Sequence, residues 1–298
     1  MKNAPVRHRL ESFVYRGVKA FLGGLPPRRV RAFGRRLGSF AARLLRSRRR
    51  LAEGNLALAF PELAEERRRE LSAECFRHLG AGLCESLAAD RWSLEEIEER
   101  FEVVGWAHAE AALAAGRDVG RGLFLMTGHF GPWELATHLL GLRFGGIDFV
   151  ARPPDNPWIA ADVQRMRERS DCRTILKRGA AFGMMKAIRR GRAVGFLIDQ
   201  RVPSKDGILV PFFGHDAWTS PALAHLSLRT GAAVLPLFCH PVAPDRYRLE
   251  FKEPLFPPQE APSETLVAEL TTRYAAIVED EVRRHPALWL WLHRRWKR

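Results

Sequence analysis

The stretch 121–134 constrains this chain more than any other part of its sequence. Residues 123–126 are four consecutive apolar side chains, and such a short run is typical of a strand that is covered on both faces. Gly128 and Gly131 follow the run, and glycines at this spacing permit a sharp turn. Pro132 then stands where helices favour proline, at their first position. The sequence therefore predicts a buried strand, a tight turn and a helix in direct succession.

Two ionisable residues fall in this stretch, His129 in the predicted turn and Glu134 in the first helical turn. The positive end of the helix dipole favours an ionised carboxylate at such a position. A carboxylate near an imidazole raises its basicity and fixes its tautomer, which is what a general base requires. A histidine and a glutamate five residues apart also occur by chance. Ligands of α/β sheets gather where strands end, however, and this makes the pair the first candidate for catalysis.

Strand and helix patterns alternate through the second half of the chain. The helix that begins at Pro132 is predicted to end at Gly141. The alternation predicts an α/β fold with a mixed, mostly parallel sheet flanked by helices, in which 101–298 form one catalytic unit. Further strands are predicted over 101–104, 147–151, 173–176, 193–198, 233–238 and 246–251, and further helices over 156–169, 180–190, 221–229 and 263–284.

The first 50 residues carry two amphipathic helical patterns, and arginines crowd the polar side of the second. A basic amphipathic helix is typical of an interfacial anchor on anionic lipid. The alternative is that the apolar stripes pack on the rest of the chain and the arginines are merely solvated. We interpret residues 1–100 as an N-terminal helical region that associates with membranes. The stripes comprise Val14, Val18, Phe21, Leu22 and Leu25, then Val30, Phe33, Leu37, Phe40 and Leu44.

The composition narrows the class of partner. The 298 residues include 48 Lys plus Arg against 34 Asp plus Glu, and a net charge of +14 indicates a polyanionic partner. Zinc-finger, P-loop and RNA-binding aromatic motifs do not occur, which disfavours nucleic acid and favours an anionic membrane. No run of about 18 apolar residues occurs either, so no membrane-spanning segment is expected. The four cysteines show no paired spacing and are expected to be reduced core thiols of a cytosol-facing protein.

The pattern His-x4-Glu between an apolar strand and a helix resembles the signature of glycerolipid and lipid A acyltransferases. Further stretches resemble the late lipid A acyltransferase family, which includes the lauroyl and myristoyl transferases. The resemblance covers nearly the whole chain in the expected order and implies a glycerolipid-acyltransferase-like fold. Relatives often begin with a membrane-spanning helix, and this chain departs from that pattern. The stretches are 55–63, 152–157, 199–200, 210–214 and 291–297.

The resemblance implies an enzyme that moves a fatty acyl chain from a thioester of acyl carrier protein or coenzyme A to a hydroxyl of a lipid A precursor. It implies a peripheral or monotopic protein on the cytoplasmic face of the bacterial inner membrane, with no cofactor besides the thioester co-substrate. Two alternatives stay open. One is an acyltransferase for another glycolipid, such as a phosphatidylinositol mannoside. The other is a non-catalytic basic protein that binds anionic membranes or nucleic acid, against which the intact His129 and Glu134 argue.

Acyl transfer needs a base, a group that stabilises the oxyanion, an apolar slot and a surface for the donor. His129 with Glu134 supplies the base. No G-x-S-x-G motif occurs, which indicates direct attack by the acceptor hydroxyl without an acyl-enzyme. Arg167 stands where the family pattern keeps an arginine, and Arg152 follows a predicted strand. Both are candidates to bind the oxyanion or a phosphate, with a surface salt bridge as the alternative for each.

Other polar residues are weaker candidates. Asp199 ends a predicted strand and should face the site, where it would orient an arginine or hold the following loop. Lys177 and Arg178 resemble phosphate-binding residues on an exposed loop. The aromatic and cationic C-terminal stretch 289–297 is typical of a headgroup-zone contact and equally of a cap on the core. No metal is expected, because the histidines lack metal-ligand spacing; those considered are His215, His225, His240 and His285.

Overall fold

A computed structural model of the chain describes residues 6–118, 120–176 and 179–296. Strands and helices alternate in it as the sequence predicts. The helices are α1 (Val6–Gly23), α2 (Pro27–Leu44), α3 (Arg46–Ala59), α4 (Glu65–Ala88), α5 (Leu94–Glu98), α6 (Trp106–Asp118), α7 (Trp133–Phe144), α8 (Pro157–Glu168), α9 (Ala180–Ile188), α10 (Ala222–Thr230) and α11 (Glu264–Arg284). The strands are β1 (Phe101–Val104), β2 (Phe124–Thr127), β3 (Ile147–Val150), β4 (Arg173–Ile175), β5 (Ala193–Leu197), β6 (Ile208–Phe212), β7 (His215–Thr219), β8 (Val234–Ala243) and β9 (Arg246–Phe251).

Seven strands form one sheet in the order β1-β9-β8-β2-β5-β3-β4. Every neighbouring pair is parallel except β8 and β9, so the predicted mixed, mostly parallel sheet is confirmed. Strands β6 and β7 form a separate antiparallel hairpin, which the sequence analysis did not identify. Pro211 lies inside β6, and proline within an apolar run argues against a strand.

Strand β2 is covered on both faces, which explains its uninterrupted apolar sequence. Phe124 and Met126 point into a core shared with α9, α10 and α11, whereas Leu123 and Leu125 point into a second core on the α7 side. Successive side chains of a strand alternate between the faces, so a strand in the middle of a two-sided core has no position for a polar residue.

The helix after β2 differs from the prediction at both ends. Pro132 is the residue before α7, not its first residue, and the helix continues past Gly141 to end at Gly145, which has φ +62. Gly141 lies against the backbone carbonyl of Ser170, and a Cβ atom would collide with that oxygen. Gly141 thus permits close packing of α7 against Ser170 and does not end the helix.

The N-terminal helices pack through small residues and leave larger ones exposed. Gly34 and Gly38 of α2 contact the backbone of α4 so closely that a Cβ at either would collide with it. The apolar stripe of α2 points away from this contact: Phe33, Leu37, Phe40 and Leu44 are exposed, whereas Val30 is buried. In α1, Val14, Val18 and Phe21 are likewise exposed and Leu22 is buried. No described helix is both long enough and apolar enough to cross a bilayer.

The C-terminal segment belongs to the core. Trp289 and Trp291 are fully buried, and Arg295 is buried with its guanidinium on the Thr219 hydroxyl. The core interpretation of this stretch therefore holds for its described residues, and Lys297 lies outside them. The four cysteines are free and buried, as the sequence predicts.

Candidate active site

The ends of two adjacent parallel strands bring the first functional side chains together. His129 follows β2 by two residues and Asp199 follows β5 by two residues, and β2 pairs with β5. Adjacent parallel strands end at the same edge of the sheet. Two residues that each follow their strand by the same number of positions therefore lie close together. Gly128 permits this approach, because a Cβ there would lie 3.1 Å from the carboxyl carbon of Asp199.

Asp199 holds the His129 imidazole by its Nδ1 atom. The distance from Nδ1 to Asp199 Oδ1 is 2.9 Å, and the His129 backbone N–H donates to Oδ2 at 2.8 Å. An ionised carboxylate only accepts hydrogen bonds, so this contact places the imidazole proton on Nδ1. Nε2 then carries the lone pair, and it accepts from the Gln200 side-chain amide at 3.1 Å. The ring has the tautomer and orientation of a general base.

The Asp199 carboxylate is enclosed and held ionised. Its side chain has no exposed surface, and Trp289 Nε1 donates a third hydrogen bond to Oδ2 at 2.8 Å. Burial alone would raise the pKa of Asp199, but the charge and hydrogen bonds of His129 outweigh burial and hold this pKa well below its usual range. Burial lowers the pKa of His129, whereas Asp199 and, to a smaller extent, Glu134 raise it. The carboxylates outweigh burial, so the pKa of His129 lies above its ordinary value.

Glu134 does not occupy the place that the sequence analysis gave it. The partner of the imidazole is Asp199, whereas the Glu134 carboxylate, 46% exposed, lies 3.3 Å from Arg167 Nη2. The turn at Gly131, which has φ +56, directs the chain into α7 such that Glu134 points toward α8. Glu134 acts on His129 through its charge, because it raises the pKa of the imidazole without a hydrogen bond to it.

Arg167 lies between the Phe149 ring and the Glu134 carboxylate. Its guanidinium lies 4.8 Å from the centre of the Phe149 ring and its side chain is only 13% exposed. One face of the guanidinium therefore rests on an aromatic surface while Nη2 reaches Glu134. Its Nε atom is buried without a hydrogen-bond partner among the described residues.

The remaining candidates separate into three groups. Arg152 lies at the surface, 81% exposed, and pairs with Asp155 at 2.7 Å, although it also lines the mouth of the cavity described below. Asp199, expected to face the site and orient an arginine or hold the following loop, has both oxygens occupied by protein donors and lies behind His129. Lys177 and Arg178 lie outside the described residues.

A cavity of about 480 Å³ opens beside His129 between α7 and the sheet. His129, Glu134 and Arg167 line its polar end. A volume of this size with a few convergent polar groups is typical of a small-molecule or cofactor site. The rest of its walls is mostly apolar and includes Leu125, Ala136, Leu140, Ile147, Leu237 and Cys239.

Two members of the site were not selected from the sequence as site residues. Gln200 was noted only within a stretch of family resemblance, and its amide contacts the free imidazole nitrogen. Trp289 was interpreted as a headgroup or core residue, and its indole contacts Asp199. An indole N–H that is buried usually has a partner, which is the one signal that could have suggested a polar group near Trp289.

Comparisons with known proteins identify the family of this chain. The family model of the bacterial lipid A biosynthesis acyltransferases matches residues 3–298. The chain therefore belongs to the bacterial lipid A biosynthesis acyltransferase family, and the predicted family is confirmed.

Individual relatives support the assignment. The chain is 31% identical to the lipid A biosynthesis lauroyltransferase of Escherichia coli (strain K12), over 94% of this chain and 89% of that protein. It is 30% identical to the palmitoleoyltransferase of the same strain, over 89% and 83%. The chain is thus an acyltransferase. A solved 1-acyl-sn-glycerophosphate acyltransferase of Thermotoga maritima is 14% identical and covers 84% of this chain and 97% of its own, with a TM-score of 0.38.

Proposed function

We propose that this enzyme transfers a fatty acyl chain from a thioester of acyl carrier protein or coenzyme A to a hydroxyl of a lipid A precursor, with His129 as the general base. The observation that carries the proposal is the imidazole held by Asp199 at the polar end of an apolar cavity. The relatives named as lipid A acyltransferases support the acceptor class.

The free Nε2 atom of the His129 imidazole takes up the proton of the acceptor hydroxyl and later returns it. The acceptor hydroxyl replaces the Gln200 amide at Nε2 and loses its proton to that nitrogen while its oxygen attacks the thioester carbonyl. Asp199 stabilises the imidazolium that forms and is not itself protonated, because its pKa is well below its usual range. When the C–S bond breaks, the imidazolium returns the proton to the leaving thiolate. The cycle forms one ester, releases one thiol and needs no acyl-enzyme.

Arg167 is the group we assign to the developing oxyanion. It is positioned by the Phe149 ring and by Glu134, so little reorganisation accompanies the reaction. A guanidinium is always charged and presents a rigid set of donors, which suits an oxygen that gains charge only in the transition state. Glu134 has a positioning role in this scheme, since it contacts the arginine and not the imidazole.

The apolar walls of the cavity are the proposed place of the acyl chain. Leu140, Ile147 and Leu237 lie beyond the polar end, so a thioester carbonyl near His129 would direct its hydrocarbon among them. An acyl chain that fills the cavity would displace water from it, which would strengthen the interaction of the carbonyl with Arg167 and limit thioester hydrolysis.

A thiol-release assay tests the proposal. The purified chain is given an acyl thioester with a lipid A precursor, with a phosphatidylinositol mannoside, or with no acceptor. The proposal predicts thiol release and acylated product with the lipid A precursor. Product only from the mannoside would move the acceptor to the class named for a Mycobacterium tuberculosis relative, which is 30% identical over 45% of this chain and 42% of its own. No thiol release with any acceptor would contradict the proposal.

We further propose that α1 and α2 hold the enzyme on the cytoplasmic face of an anionic bacterial inner membrane, as a peripheral or monotopic protein. Phe13, Phe21, Phe40 and Leu44 are exposed, and these helices are rich in arginine. Exposed apolar residues beside cations favour an anionic lipid surface. Helix α1 is fixed to α8, the helix of Arg167, through contacts that include Tyr15 Oη to Asp162 at 2.9 Å.

Liposome binding tests the membrane assignment. Vesicles with anionic lipid should bind the wild-type chain, and binding should weaken as salt rises. Phe40→Ser should weaken binding, whereas Phe256→Ser is the matched control, because the two rings are 55% and 54% exposed and Phe256 lies outside α1 and α2. Equal binding at low and high salt, or equal loss in the two variants, would contradict the assignment.

A further inference from the structure

A second group of histidines and a carboxylate lies on the other side of Phe130 from the active site. Glu281 and His285 are separated by one helical turn at the end of α11, and His240 projects toward them from β8. The distance from His240 Nε2 to Glu281 Oε1 is 3.2 Å, and that from His285 Nε2 to the same oxygen is 3.8 Å. One ligand atom from each residue lies within 4.8 Å of the other two.

The two inner members of this group face each other without a hydrogen bond. Both side chains are at least nine-tenths buried, and His240 Nε2 and Glu281 Oε1 have no hydrogen-bond partner among the described residues. The large majority of buried side-chain polar atoms have a hydrogen-bond partner, so two unpaired atoms opposite each other point to a ligand between them. In the tautomer that carries the His240 proton on Nδ1, the lone pair of Nε2 faces Glu281 Oε1, and a cation between them would satisfy both.

The charges around the carboxylate leave one oxygen for that cation. Arg284 and Lys252 contact Glu281 Oε2 at 3.0 and 3.3 Å, so this oxygen is already neutralised. Lys252 also contacts Glu250, whose other oxygen lies 3.7 Å from His240 Nε2. Among the described residues, the ion-pair contacts of Glu281 Oε1 are those to the His240 and His285 imidazoles. Oε1 and the two imidazole nitrogens are therefore the atoms left to bind an additional cation.

We propose that His240, Glu281 and His285 form a binding site for a divalent transition-metal ion, zinc in the first instance. Imidazole nitrogen and carboxylate oxygen bind zinc at about 2.0–2.2 Å, which places tetrahedral ligands roughly 3.3 Å apart. The His240–Glu281 separation of 3.2 Å is already of this size, whereas His285, 3.8 Å from Glu281 in a group that spans up to 4.8 Å, would have to move inward on binding. His285 is half exposed, which gives an ion access from solvent. A water or Glu250 would complete the four ligands.

Such an ion would act on the active site by holding its supporting segment. The chain turns directly after His285 and runs to Trp289, whose indole binds Asp199. In this segment Gly131 N–H donates to Leu288 O, and the Phe130 ring packs on His240 with 5.3 Å between ring centres. Zinc would fix the end of α11 to β8 beside this segment. Its role would be structural, because Phe130 separates it from the reacting atoms.

Metal titration of the full-length chain tests the site. Protein treated with a chelator and dialysed is titrated with Zn²⁺ alone against a competing chromophoric chelator, and Co²⁺ is used as the spectroscopic probe. We expect one high-affinity site per chain and Co²⁺ d–d absorption of four-coordinate intensity. Zinc at about 100 times its dissociation constant should raise the unfolding midpoint by roughly 5 °C.

Three variants decide whether these residues hold the ion. His285→Ala, at a partly exposed position, and His240→Gln should each weaken zinc binding by about 100-fold or more, since changes around ligands alone cost roughly 10- to 100-fold. His225→Ala is the matched control on the exposed face of α10. Circular dichroism checks folding, and the exposed position of His285 keeps the test valid if His240→Gln unfolds. The absence of a one-to-one site in the wild type, or equal zinc affinity in His285→Ala and wild type, would overturn the proposal.

Discussion

Two histidine–carboxylate pairs lie on either side of Phe130, and they differ in how their polar atoms are satisfied. Asp199 accepts hydrogen bonds from the His129 ring, the His129 backbone and Trp289. Glu281 meets His240 at a similar distance, yet the facing atoms form no hydrogen bond. The first pair borders the cavity, whereas the second does not.

The pKa values of the two imidazoles follow from this difference. The pKa of His129 is raised, because the ionised Asp199 outweighs burial. The pKa of His240 is lowered to about 4, because burial dominates and His285 adds to the effect. A nearby carboxylate is therefore not sufficient to make an imidazole a general base. Its charge must be fixed by hydrogen bonds, and one imidazole nitrogen must remain accessible to the substrate.

The largest expected effect is that of His129→Ala. It should lower turnover by roughly 10²- to 10⁴-fold, the usual contribution of a positioned general base. His225→Ala, at an exposed position on α10, controls for the loss of any imidazole. Thiol release and circular dichroism check activity and folding. Near-normal turnover of a folded His129→Ala chain would assign the base elsewhere.

The second largest effect is expected for Arg167→Ala, which should lower turnover by about 10²- to 10³-fold, as for the loss of one oxyanion donor. The loss should appear in kcat with KM nearly unchanged, since the contact is made only in the transition state. Arg167→Lys should not restore activity fully, because an ammonium lacks the planar set of donors. Steady-state kinetics decide the matter: a raised KM with normal kcat would make Arg167 a phosphate or headgroup binder.

Glu134→Gln should have a smaller effect, roughly 10- to 100-fold, which is the range for losing a hydrogen bond to a charged group. Arg167 would keep its Phe149 contact and lose only its carboxylate partner. Initial rates over a pH series measure the change. A loss as large as that of His129→Ala would show that Glu134 does more than position Arg167.

The smallest expected effect concerns the stability of a third buried imidazole. His138 contacts the Ser170 hydroxyl at 3.1 Å, and burial lowers its pKa to about 4. The unfolded chain binds this proton near pH 6.5, so the contribution to stability is present above that pH and is lost as pH falls toward 4. The loss should be on the order of 3 kcal/mol. Urea unfolding should show a smaller pH slope between 6.5 and 4 in His138→Gln, and an unchanged slope would contradict this reading.

The fold was predictable where local pattern and long-range packing agree. The apolar run of β2 has no polar position because both its faces are covered, and the turn glycines Gly128 and Gly131 stand where the backbone approaches Asp199 and Cys239. The helix end predicted at Gly141 was wrong, because a glycine required for close contact with Ser170 cannot be distinguished in the sequence from a glycine that ends a helix.

The sequence predicted several residues of the candidate site, but not which carboxylate contacts the His129 imidazole. His129 and Asp199 were both expected at the sheet edge, but strand order decides which carboxylate meets the ring, and one sequence does not give strand order. The Trp289 contact spans 90 residues of chain for the same reason. His240 was set aside because metal-ligand spacing was sought along the chain, whereas its partners lie on another element.

We infer that Asp199, and not Glu134, sets the tautomer and the pKa of His129, and ¹⁵N NMR of histidine-labelled protein measures both. In the wild type the His129 signals should show the Nδ1–H tautomer at neutral pH and a pKa above 6.5, the ordinary value. Asp199→Asn should lower that pKa clearly, and Glu134→Gln should lower it less. An Nε2–H tautomer, or a pKa that falls in Glu134→Gln and not in Asp199→Asn, would contradict the account.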